Sequence, residues 1–179
     1  MKPGHYSIPL TGLKEGSHQY EFEIDNDFFT YFEESEISDA KLAVEVLLVK
    51  RSAHMELVIG IKGFAGVECD RCLEPYMQEV NIEGKLLVKF GEEWEEVDDE
   101  VLIIPNGESL LDISQLIYEY AHLGLPLQKH HPEDARGISG CDPDMLGRIY
   151  GIETNSFEEN KDIDPRWKDL GSLKSDMLN

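Results

Sequence analysis

Three long stretches of the chain alternate apolar and polar residues, and they follow one another with only short links. In Asp39 to Lys50, Leu42, Val44, Val46 and Leu48 share one parity while Glu45 takes the other. In Met55 to Val67, Leu57, Ile59 and Ile61 do the same. Tyr76 to Phe90 resumes the pattern through Val80, Ile82, Leu86, Val88 and Phe90. A period of two puts alternate side chains on opposite faces of an extended strand. The links, around Lys50 to His54 and Glu68 to Pro75, are too short for a crossover helix, so the three strands must be antiparallel neighbours in a meander. Gly60, Gly63, Gly66 and Gly84 are expected to mark bends or a bulge.

The rest of the chain can be placed around that sheet. Ile8 to Leu10 reads as a short strand. Tyr20 to Asp25 alternates apolar with acidic residues, as a half-buried strand does. Asn26 or Asp27 is a fitting N-cap for a short helix carrying Phe28, Phe29, Tyr31 and Phe32. Those aromatics are expected in the core. Val101 to Ile104 reads as an edge strand, followed by the turn Pro105-Asn106-Gly107. Leu110 to Leu123 has apolar residues at helical spacing (Leu110, Ile113, Ile117, Tyr120, Ala121), and Gly124 and Pro126 end it. The expected fold is therefore α+β: a long-stranded antiparallel sheet, one main packed helix and an irregular acidic C-terminal arm. Residues 1–128 are expected to form a β-rich core domain with its helix at 110–123. Residues 129–179 are expected to form a His- and Cys-containing loop and an acidic tail with short helices, one from Cys141 through Ile149 and one from Asp164.

Charge limits the partners. Aspartate and glutamate outnumber lysine and arginine 37 to 16, a formal net charge of −21. Such a chain repels a phosphate backbone unless its few cations cluster, so direct RNA binding is disfavoured. Anionic membrane surfaces are disfavoured too. The longest apolar run, Leu42 to Val49, is broken by Glu45, far short of the roughly 20 apolar residues a membrane helix needs. Met1 to Leu13 has no basic region followed by an apolar core, so a cytoplasmic location is expected. A basic protein partner suits the charge best. The segment Glu92, Glu93, Glu95, Glu96, Asp98, Asp99 and Glu100 is its candidate contact, read as a solvated loop. The competing reading, an RNA-binding module stabilised by zinc, would need Lys50, Arg51, Arg71 and Lys129 to form a local basic cluster.

The candidate chemistry lies in the cysteines. Cys69 and Cys72 flank a two-residue turn between strands, and Cys141 is the third of three. Zinc takes four tetrahedral nitrogen or sulfur ligands, and a Cys-x-x-Cys turn supplies two. Cys69, Cys72, His131 and Cys141 form the candidate set, with His130 as the alternative to His131. The nine residues between His131 and Cys141 match no standard half-site. Arg71 would offset part of the charge of three thiolates. Two other readings stand beside zinc: a tight structural turn with buried free thiols, and a thiol–disulfide couple. The last usually needs the cysteines to open a helix, which a turn between strands does not provide. No serine or carboxylate pair stands out as catalytic. There is no Gly-x-Ser-x-Gly, His-Glu-x-x-His or phosphate-binding glycine motif, so a non-enzymatic role is expected.

The run Cys69-Asp70-Arg71-Cys72-Leu73-Glu74-Pro75-Tyr76 resembles the Cys-x-Arg-Cys-Leu-x-Pro-(Phe/Tyr) signature of the YceD-like family, the large ribosomal RNA subunit accumulation proteins of bacteria and plastids. Further similarity follows in the helix leading to Leu125-Pro126-Leu127, in the loop His130 to Cys141, and in Asp164-Pro165-Arg166-Trp167 with Leu170 and Leu173. The resemblance implies a role in accumulation of large-subunit ribosomal RNA and no known catalytic reaction. It carries over Cys69, Arg71, Cys72, Leu73 and Pro75 as motif residues, with Cys141 and the Asp164-Pro165-Arg166 run. The implied partner is a ribosomal protein or an assembly factor.

Overall fold

The computed structural model describes residues 5–33, 35–98 and 100–150. The expected tail helix at Asp164 lies outside them. Eight strands and three helices are present among the described residues, β1 (Ser7–Pro9), β2 (Gly16–Asp25), α1 (Asn26–Phe29), β3 (Asp39–Lys50), β4 (His54–Glu68), β5 (Pro75–Gly91), β6 (Glu95–Asp98), β7 (Val101–Pro105), β8 (Leu110–Asp112), α2 (Ser114–Leu123) and α3 (Pro143–Tyr150). Six strands form one sheet in the order β2-β3-β4-β5-β7-β6, while β1 and β8 pair separately. The chain divides into two units, the second beginning at Asp142.

The meander from β2 to β5 is antiparallel throughout, as the alternation requires. Its parity decides the core. Val44, Val46 and Leu48 of β3 are buried on the same face as Leu57, Ile59 and Ile61 of β4 and Val80, Leu86 and Val88 of β5. Helix α2 covers that face with Ile117 and Ala121. The aromatics expected in the core pack there in part. Phe28 and Phe29 are buried, Phe32 stacks on Tyr118 at 4.1 Å, and Tyr31 is exposed.

Four expectations are corrected. First, Gly60, Gly63, Gly66 and Gly84 mark no bulge, because β4 keeps unbroken register with β3 and β5. Two of them make room instead. Gly63 has φ +146°, and a Cβ there would strike the Lys41 carbonyl of the neighbouring strand. A Cβ on Gly84 would enter the ring of Tyr120 on α2. Second, Val101 to Ile104 is not an edge. Strand β7 lies between β5 and β6 and runs parallel to β5, so the sheet is mixed. Third, the acidic segment is not all loop. Glu95 to Asp98 forms the edge strand β6 against β7, with an irregularity between Glu96 and Asp98. Fourth, the helix starts at Ser114 rather than Leu110. Leu110–Asp112 pairs with Ser7–Pro9, burying Leu111 beside Ile8. The Asp112 carboxylate then accepts hydrogen bonds from the Ser114 amide and hydroxyl, where α2 begins.

The second unit contains α3. Asp142 receives the Leu146 amide on its carbonyl and the Asp144 amide on its carboxylate, and Pro143 takes a first-turn position that needs no donor.

Candidate metal centre

Strand β4 ends at Glu68, which is paired with Pro75 at the start of β5. The six residues between make a compact knuckle. The Cys69 amide donates to the Glu74 carbonyl at 3.1 Å, and the Leu73 amide donates to the Cys69 carbonyl at 2.9 Å. The Arg71 amide points at Cys69 Sγ, 3.4 Å away. Closing so tight a turn forces Leu73 to φ +63°, the left-handed region that a branched side chain enters only at a cost. Leu73 is exposed, Arg71 half-buried, and Cys69 and Cys72 are buried.

The second half of the site comes from 129–141. Lys129 docks on the knuckle through two backbone groups: its carbonyl accepts the Asp70 amide at 2.7 Å and its amide donates to Asp70 Oδ2 at 2.6 Å. Its ammonium group pairs with Glu36 at 2.6 Å. Residues 132–140 then fold back on themselves. The Asp134 carboxylate accepts the Arg136 and Ile138 amides, Glu133 bridges Ser139, and the Gly140 amide donates to the Pro132 carbonyl. This small hairpin returns the chain to its start, so His131 and Cys141 stand next to each other. The nine-residue spacing that fits no standard half-site is thus spanned by a turn.

Sequence reasoning did not reach Asp70, Asp134 or Glu36. Asp134-Ala135-Arg136-Gly137 does spell a turn, with Asp first and Gly fourth. Nothing local could have shown that Asp70 would bind the backbone at Lys129.

The four candidate ligands converge. Cys69, Cys72, His131 and Cys141 place their ligand atoms within 4.8 Å of one another and could hold a metal ion. Cys69 Sγ lies 3.6 Å from Cys141 Sγ, and Cys72 Sγ lies 3.4 Å from His131 Nδ1. None of the cysteines is in a disulfide. The imidazole of His131 rests on Tyr76 at 4.9 Å between ring centres. His130 is not part of the cluster, and its Nδ1 lies 3.1 Å from the Gln128 carbonyl.

The thiols are electrostatically unlike. Burial pushes Cys69 up, but the amides of Cys72, Arg71 and His131 and the His131 ring outweigh it and bring the thiol down to about 6. A hydrogen bond with Ser139 acts to lower Cys141, yet burial and the two neighbouring thiols carry it above its usual value. One sulfur is therefore prepared to be a thiolate near neutral pH, and the crowding that opposes a second is what a bound cation would relieve.

The basic cluster required by the RNA-binding reading does not form. Lys50 and Arg51 lie at the β3–β4 turn, whereas Arg71 and Lys129 lie beyond the far end of the 15-residue β4. A strand of that length spans roughly 45 Å. Arg51 and Lys129 are also already paired, with Glu56 and Glu36.

Residues 57–174 match the family described as Large ribosomal RNA subunit accumulation protein YceD. The chain belongs to the YceD family. The match takes in the knuckle, the 129–141 loop and the Asp164-Pro165-Arg166 run, and covers more than half of the chain. Comparison with curated proteins and with solved structures found no match. The family's name ties this YceD chain to large-subunit ribosomal RNA accumulation. No helix among its described residues is long and apolar enough to cross a membrane.

Proposed function

We propose that this YceD chain is a non-enzymatic factor of ribosome biogenesis that acts in the cytoplasm by binding a basic protein partner, a ribosomal protein or an assembly factor. The net charge of −21 carries this reading, since it opposes a phosphate backbone and attracts a cationic protein. Strand β6 supports it. Glu95, Glu96 and Asp98 are exposed on an open sheet edge, with Glu92, Glu93 and Glu100 exposed beside them. Asp99 falls outside the described residues.

Zinc at Cys69, Cys72, His131 and Cys141 is part of the proposal. Three sulfurs and one imidazole are a zinc donor set. A tetrahedron with roughly 2.3 Å zinc–sulfur bonds has edges of about 3.8 Å. The 3.4 and 3.6 Å separations here are close to that. All four protein ligands are present, as in closed structural sites, so the ion would fasten the 129–141 loop to the knuckle.

The test is a ribosome sedimentation profile, with RNA analysis, in cells lacking the chain. A large-subunit deficit rescued by wild type but not by Cys69→Ser/Cys72→Ser is expected. An unchanged profile would remove the assembly role. Rescue by the double variant would leave the assembly role and remove the site from it.

A further inference from the structure

The sheet has two faces, and among the described residues only one is covered. The other presents the odd-numbered residues of β2, β3 and β5 and the even-numbered residues of β4. At its centre is Gly60, opposite Glu45 on one neighbouring strand and Glu83 on the other. With no side chain at Gly60, a hollow of about 380 Å3 opens there, lined also by Ala43, Val58 and Lys62. Val58 also lines a second hollow of about 170 Å3, which continues past Leu87 to Glu100 on the acidic segment. The two meet at Val58 in one trough, whose wall also includes Asn81, Glu56 and Lys85 and whose outward-facing aliphatic residues are Ala43, Val58 and Leu87. Its length along β4, from Gly60 to Glu56, is about 13 Å.

The chemistry of the trough selects its occupant. Glu45 and Glu83 stand two strand spacings apart, about 10 Å, across the gap at Gly60. Neither forms an ion pair among the described residues. Glu21 extends the same row on β2. Lys62 and Lys85 lie on either side of that row and disfavour a run of cations, so the row suits one cationic head. A lysine or arginine stem would lie over Gly60 with its charge between the two carboxylates, and small aliphatic neighbours would cover Val58 and Leu87.

We infer that this bare face is a docking trough for a segment of a protein partner that carries a single arginine or lysine between aliphatic residues. The inference rests on the proposed basic protein partner and moves its main contact from the acidic edge strand to the sheet face.

Gly60 supplies a clean variant. A Cβ there would meet only the Glu45 carbonyl oxygen, at 3.9 Å, so Gly60→Leu fills the hollow without disturbing the sheet. The probe is a capped pentapeptide, Ala-Val-Arg-Val-Ala, titrated into isotope-labelled protein and followed by backbone amide shifts. Shifts centred on Gly60, Val58 and Glu83 are expected, and binding should weaken at least tenfold with citrulline in place of arginine. Gly60→Leu should weaken it similarly; should that variant unfold, Glu45→Gln/Glu83→Gln serves the same purpose. Shifts confined to residues 95–98 would overturn the trough and leave the basic-partner reading standing. No shift anywhere, from this peptide or from a longer polybasic one, would remove both. Concentration-dependent shifts at Gly60 without peptide would assign the face to a second copy, and shifts there with an RNA oligonucleotide would assign it to nucleic acid. Either result overturns the inference.

Discussion

Leu73 shows how one residue can hold a feature at a cost. Its backbone is left-handed, which disfavours a branched side chain by about 1–2 kcal/mol. Its side chain is largely exposed, so little packing offsets that cost. Leu73→Gly is therefore expected to raise stability by up to about 1 kcal/mol after the extra freedom of the unfolded glycine is subtracted. Chemical denaturation would show it, and a lower stability would mean that Leu73 packs on something beyond the described contacts. The four candidate ligands make the opposite prediction. Replacing Cys69, Cys72, His131 or Cys141 singly should drop zinc content from about one ion per chain to a small fraction, read by elemental analysis. His130→Ala should leave it unchanged, because that ring faces the Gln128 carbonyl. The knuckle cysteines and the candidate fourth ligand were legible from residue type alone. The choice of His131 over His130 was not, because it depends on which ring the hairpin turns toward Cys72.

At the scale of elements, alternation made the long strands β3, β4 and β5 readable almost to their ends. What it could not show was pairing between distant segments. Leu110–Asp112 looks helical because its apolar spacing continues that of α2, but its partner is a strand about a hundred residues earlier. The same limit hid the parallel pairing of β7 with β5. Helix-to-sheet packing also depends on small residues, Gly84 among them. Gly84→Val should cost about 1–3 kcal/mol by overpacking against Tyr120, seen as a lower denaturation midpoint. The 129–141 loop has its own electrostatic tie. Lys129 lies above its ordinary 10.5, chiefly through its hydrogen bond to Glu36. Glu36 lies below its ordinary 4.5 for the reciprocal reason. The tie is thus complete between about pH 4.5 and 10.5. It weakens as pH falls through the lowered Glu36 value or rises through the raised Lys129 value. Glu36→Gln should speed amide exchange at Asp70 and Lys129 at neutral pH, with under about 1 kcal/mol lost overall because Glu36 is exposed.

For the molecule as a whole, the charge was plain in the composition, but its placement was not. Most of the meander's acidic residues lie on the outward parity, leaving the core face apolar. Binding to a basic partner should therefore weaken steadily as salt rises from 0.05 to about 0.3 M, as the Debye length shortens. Affinity indifferent to salt, measured by fluorescence anisotropy, would remove charge as the basis of recognition. With zinc at the proposed site, chelation should raise amide exchange across 129–141 while β3 and β4 stay protected, because their hydrogen bonds do not pass through the site.

Among the described residues, the two open margins of the six-stranded sheet are β2 and β6. Glu21, Glu23 and Asp25 face outward along one, and Glu95, Glu96 and Asp98 along the other. Unpaired strand margins invite like molecules to add themselves end on end. Both margins carry exposed carboxylates, so charge opposes the meeting of like margins. That shared charge works against growth of the sheet from one copy of the chain to the next.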